Sequence, residues 1–159
     1  MSKIAPCLWF DNQGEAAAQF YCSVFPNSRI LGTSVYPEGS PGEPGTVMTV
    51  EFELDGQHYT ALNGGPQFTF SEAISLQVDC ADQAEIDHYW DALTADGGEP
   101  GPCGWLKDKF GLSWQVFPFK EMEETLSGPD PERGKRAFAA MMEMTKIDIA
   151  TLRRAADGS

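Results

Sequence analysis

Glu51 is the residue with the clearest chemical potential in this sequence of 159 amino acids. A carboxylate facing a partly dry cleft has its pKa raised and can act as a general base. The same carboxylate on an open sheet is only a solvated charge. His58, directly after a hairpin signal, reads either as an acid–base group or as an exposed strand-edge residue. Strand alternation places both on one face with Cys7, Trp9, Thr49 and Thr60, and places Ser75, Gln77, Ser113 and Gln115 on the matching face of a second segment. Such a lining, polar with an aromatic wall, suits a small polar or planar ligand. Trp9 and Trp105 can stack a ring or fill core space. Asn63-Gly64-Gly65-Pro66 forms either a ligand-facing turn or a tight link. Gln77 and Gln115 make a matched pair whose amides need partners.

The elements that must hold these residues follow from periodicity. Strands are expected over residues 4–10, 29–36, 46–54, 57–62, 73–78 and 112–117, with Asp55-Gly56 as a hairpin turn. Helices are expected over residues 15–25 and 82–93. Ala16, Phe20 and Val24 share a face of the first, with Ala17, Tyr21 and Phe25 beside them, and Asp82 with Glu85 forms a capping box on the second. Residues 37–45 are too rich in Pro and Gly for either structure. Trp105 to Pro118 reads as a turn, closed by Gly111, followed by a strand. Laying Gly56 on Gly111 aligns residues 58–62 with 113–117, so the chain looks internally duplicated. Asp130-Pro131 starts a helix with Phe138, Met141, Met142 and Thr145 along one side, where a Met stripe reads as core filling. A last short helix follows Asp148, anchored by Ile149 and Leu152. The fold class is therefore α+β: two βαβββ units forming curved mixed sheets around a cleft, with C-terminal helices. The first unit spans residues 1–66, the second 67–119 and a helical tail 120–159, all within one structural domain.

Composition narrows the function. A formal net charge of −13 disfavours nucleic acid and anionic membrane surfaces as partners. No apolar run approaches the roughly 18 residues a membrane helix needs, and the N-terminal stretch is not a signal peptide. Cys7, Cys22, Cys80 and Cys103 have no metal-binding spacing and read as free thiols of a reducing compartment. A cytoplasmic protein is expected.

Residues 8–21 (LWFDNQGEAAAQFY), 52–66 (FELDGQHYTALNGGP), 73–75 (AIS), 105–118 and 130–155 together resemble the vicinal oxygen chelate (glyoxalase/bleomycin-resistance) superfamily. Within it they resemble the PhnB-like group often labelled demethylubiquinone methyltransferase-like. Superfamily enzymes hold a divalent metal with His, Glu or Gln from four strands. Those positions fall here on Ala5, Thr60, Ala73 and Gln115, of which Gln115 alone can ligate, so neither metal nor other cofactor is expected. Methyl transfer from S-adenosylmethionine usually goes with a doubly wound sheet and a Gly-rich first turn, and no such unit is present. The resemblance implies a protein that binds a small organic molecule and forms a homodimer. Glu51 is the candidate catalytic base; Trp9, His58, Thr60, Asn63, Gln77, Trp105, Ser113 and Gln115 are the candidate ligand contacts. The alternative is a lyase-, isomerase- or dioxygenase-type enzyme with an irregular metal site at His58 and Gln115.

Overall fold

The computed structural model describes residues 2–159, which divide into two compact units, the first ending at Phe70 and the second running from Ser71 to Ser159. The first unit contains β1 (Cys7–Phe10), α1 (Gly14–Val24), β2 (Arg29–Val35), β3 (Val47–Leu54) and β4 (Gln57–Asn63). Its sheet runs β1-β4-β3-β2, with β1 parallel to β4 and the other pairs antiparallel. One face carries Leu8, Phe10, Val50, Phe52, Leu54 and Ala61, all buried, and α1 covers β3 and β4. Burying such a face supplies most of the favourable free energy of folding. The buried stripe of α1 is Gly14, Ala17, Ala18 and Tyr21. It is rotated by about one position from the expected stripe of Ala16, Phe20 and Val24, because small residues at 17 and 18 let the helix approach the sheet. There the ring of Tyr21 stacks on Phe52, 6.4 Å between centroids.

Asp55 and Gly56 both have positive φ (48° and 82°), which the two-residue turn joining β3 to β4 requires. This is the hairpin expected from Asp-Gly. The strand expected from Ile4 starts instead at Cys7, with the Pro6 carbonyl accepting a hydrogen bond from Thr60 N at 3.0 Å.

The second unit repeats the order: β5 (Ser75–Asp79), α2 (Gln83–Thr94), a single 3-10 turn, β6 (Glu99–Pro100), β7 (Trp105–Lys107) and β8 (Ser113–Phe117). Its sheet runs β5-β8-β7-β6, again with one parallel pair between the first and last strands. Both units are thus βαβββ with the same strand order. The expected cap of α2 is present: Asp82 Oδ1 accepts from Glu85 N at 2.9 Å, while Glu85 Oε2 accepts from Ala81 N at 2.9 Å. Trp105–Lys107, expected to open a turn, forms a strand paired with β8. The turn that follows is organised by Asp108, which is 2 % exposed. Its Oδ1 accepts from Phe110 N (2.8 Å) and Leu112 N (3.1 Å), and its Oδ2 accepts from Trp114 Nε1 (2.9 Å).

Three helices complete this unit: α3 (Phe119–Leu126), α4 (Pro131–Met142) and α5 (Ile149–Asp157). Ala137, Met141, Ile149, Leu152 and Ala156 are buried among them. The expected apolar side of α4 is only partly used as core, since Phe138 is 53 % and Met142 52 % exposed. Among the described residues no helix is long and apolar enough to cross a membrane.

Candidate functional site

In the first unit, the sheet face turned away from α1 carries Cys7 and Trp9 of β1, Thr49 and Glu51 of β3, and His58 and Thr60 of β4. The register sets Thr60 beside both Cys7 and Glu51. Thr60 Oγ1 donates to the Glu51 carboxylate, 3.0 Å from Oε1 and 3.1 Å from Oε2. His58, diagonal to Glu51 across the hairpin, brings Nε2 to 2.5 Å from Glu51 Oε2. That nitrogen is buried and makes no hydrogen bond of acceptable direction. Burial, together with the negative charge of Glu51, pushes the Cys7 thiol above its ordinary pKa. Glu51, His58 and Thr60 are therefore brought together in a half-buried polar patch.

Trp9 and Asn63 lie at the end of the same sheet, and both are committed to the chain itself. Trp9 Nε1 donates to Gly65 O at 2.9 Å, and its ring touches Phe68 edge-on at 4.9 Å. The ring lies 2.4 Å from where a Cβ on Gly64 would sit, so only glycine fits there. Asn63 Oδ1 accepts from Gly14 N at 2.7 Å, satisfying an orphan donor at the start of α1, and its Nδ2 donates to Val47 O at 3.1 Å. The Tyr36 hydroxyl donates to the Asn63 carbonyl.

In the second unit the corresponding face holds Ser75, Gln77, Trp105, Ser113 and Gln115. Gln77 pairs in register with Gln115, Trp105 with Gln115, and Ser75 with Ser113. Gln77 is exposed, whereas Gln115 Nε2 donates to Ser75 Oγ at 2.7 Å. Ser113 is buried with its hydroxyl unpaired, and borders a cavity of about 200 Å³ shared with Trp105, Lys107 and Glu72. Lys107 and Glu72 form an ion pair, which lowers the carboxyl pKa of Glu72 and raises that of the ammonium. A larger cavity of about 580 Å³ is walled by Trp105, Gln115 and Phe117 of the sheet, Met122 of α3, Met141 and Met142 of α4, and Cys103. Trp105 and Gln115 are ligand contacts expected from the sequence, whereas the sulfur-bearing wall is not. No sequence signal marks that wall, because a Met stripe on a helix reads as core filling.

The superfamily metal is tested by the residues at its positions. The strand register pairs Thr60 with Cys7, not Ala5, and Gln115 with Gln77, not Ala73. Ala5 and Ala73 both precede their strands and are exposed. Among the described residues no three His, Cys, Asp or Glu side chains converge to hold a metal. The set at these positions is a thiol, a hydroxyl and two amides, one of them already bonded to Ser75; only the amides belong to the His, Glu or Gln set of the superfamily, fewer than the three protein ligands a metal of this kind needs.

Residues 2–117 match the sequence model of the 3-demethylubiquinone-9 3-methyltransferase family. The chain belongs to that family. Its PhnB-like character and vicinal oxygen chelate fold, expected from the motifs, agree with the solved structures it resembles. A PhnB protein from Bacillus cereus is 36 % identical over 72 % of this chain and 98 % of its own, with a TM-score of 0.64. Protein PA1353 from Pseudomonas aeruginosa is 18 % identical over 73 % and 96 %, TM-score 0.59, a likeness of fold alone. The fosfomycin resistance protein FosX from Listeria monocytogenes, solved with Mn(II) and sulfate, is 14 % identical over 72 % and 87 %, TM-score 0.49. No curated protein matches the chain. The family's name speaks of methyl transfer, but both sheets of this member are mixed βαβββ sheets, not the doubly wound parallel sheet that methyl transfer from S-adenosylmethionine usually employs. The fold does not support the label as this chain's activity.

Proposed function

We propose that this PhnB-like protein binds a small organic molecule on the open faces of its sheets, with a pocket in the second unit and without the superfamily's usual metal. The observation that carries this reading is the 580 Å³ cavity, whose walls are mostly aromatic and sulfur-bearing, with one amide, Gln115, and one carboxylate, Glu72. Its volume falls within the range of roughly 300–1,000 Å³ typical of small-molecule sites. Trp105 offers a face for a planar ring, and Gln115 offers a directional contact that fixes orientation. A panel of planar aromatic compounds titrated against tryptophan emission tests it. Saturable quenching is expected for part of the panel, weakened about tenfold by Gln115→Leu, the scale of one lost hydrogen bond. A panel that gives no saturable signal at any concentration would sink the reading.

A second reading, turnover of a ligand with Glu51 as general base in a lyase- or isomerase-type reaction, is favoured by the 2.5 Å approach of His58 and the hydrogen bonds from Thr60. A homodimer belongs to the same proposal: β2 is an edge strand exposing Ile30, Leu31 and Val35, the kind of surface a second copy covers. Its setting is taken to be the cytoplasm.

A further inference from the structure

Sulfur is concentrated in one place in this molecule. Of its four cysteines and six methionines, Cys103, Met122, Met141 and Met142 all line the 580 Å³ cavity of the second unit. Cys103 Sγ stands 3.6 Å from Met142 Sδ. Met142 is half exposed, so core filling does not explain its place. The residues around Cys103 are pinned to the segment after α4 by two backbone hydrogen bonds, Cys103 N to Met144 O (2.8 Å) and Gly104 N to Thr145 O (2.7 Å). Cys103 itself sits at φ 57°, a conformation that L residues other than Asn and Asp rarely adopt. The thiol is thereby held beside the thioether by backbone the side chains do not have to organise.

We propose that Cys103 and Met142, with Met122 and Met141 lining the same cavity, form a binding site for a soft monovalent cation, Cu(I) or Ag(I). Two sulfurs each about 2.3 Å from one ion stand about 3.6–4.0 Å apart at bond angles of roughly 105–120°. The observed spacing lies at the lower end of that window. Thiolate and thioether donors select Cu(I) over the harder divalent cations, which separates this site from the oxygen- and imidazole-rich site of the superfamily. On binding, the Cys103 thiol releases its proton to solvent as the sulfur–metal bond forms, and no electron is transferred. The site shares its cavity with the organic-ligand reading but rests on the sulfur donors, which a titration with the metal alone reads without any organic ligand.

The test is an anaerobic titration of the full chain with Cu(I), buffered by a competing colorimetric chelator, with near-ultraviolet thiolate-to-copper absorption as a second readout. About one equivalent is expected. Met142→Leu, a surface change that leaves folding intact, should weaken binding at least about tenfold, and Cys103→Ser should abolish the absorption band. Cys7→Ser, on the other unit, should leave both readouts unchanged. Binding that follows the number of thiols, with Cys7→Ser as harmful as Cys103→Ser, would overturn the proposal. So would an affinity unchanged in Met142→Leu, or no binding stronger than the chelator allows.

Discussion

Asn63 and Glu51 belong to one sheet, but the first is turned towards α1 and the second away from it, and they ask for different experiments. The Asn63 side chain joins the start of α1 to β3 through two hydrogen bonds. Asn63→Ala should therefore cost about 1–2 kcal/mol, the scale of a lost helix cap, and lower the melting temperature by about 2–8 °C in a thermal scan. Glu51 is bonded only to Thr60 and set against His58. If Glu51 is a base, Glu51→Gln abolishes turnover of a ligand found in the screen while leaving the melting temperature within about 2 °C; unchanged turnover would remove the enzymatic reading. Cys80 gives a pH prediction. Burial, helped by the charges of Glu85, Asp79 and Asp82, pushes its thiol up to about 12. The folded state keeps a proton that the unfolded chain loses above about pH 9, so stability should fall as pH rises from there towards 12. Alkylation at pH 9 followed by mass spectrometry should label exposed Cys7 well before Cys80.

At the scale of elements, alternation made β3, β4 and β8 legible, and Asp-Gly made their hairpin legible. The capping pattern at Asp82 and the Asp-Pro at 130–131 did the same for α2 and α4. What stayed hidden was short or unsignalled. Glu99–Pro100 is two residues long and Trp105–Lys107 three, too short for a period of two to show. Helix α3 follows Pro118 with no side-chain cap to announce it. Its absence from the sequence reading hid Met122, and with it the cavity wall, although Trp105 and Gln115 were in view. The polar patch fared better, because the Asp-Gly hairpin fixes the register that sets Glu51 opposite Thr60 and diagonal to His58. The composition of residues 107–111 predicts only a polar turn, whereas Asp108 is the buried acceptor that shapes that turn into β8. Asp108→Ala leaves two amides and an indole N–H without this acceptor. A loss on the order of 3 kcal/mol is expected in denaturant unfolding, with altered near-ultraviolet dichroism from Trp114.

At the scale of the whole molecule, the proposed homodimer predicts a sedimenting mass near twice the 17.4 kDa of the chain, and a single species of monomer mass across micromolar concentrations would refute it. The net charge of −13 makes self-association favour added salt, which screens like charges. Each βαβββ unit has its own sheet, its own covering helix and its own buried face. One consequence concerns ancestry. A chain made of two copies of one plan can change the open face of one copy without disturbing the hydrophobic interior of the other. Here one copy carries a carboxylate, an imidazole and a hydroxyl, and the other an indole, an amide and a wall of sulfur. Duplication of this kind lets a lineage try new ligands on one half while the other keeps its inheritance, and the two faces of this protein already differ in the chemistry they offer.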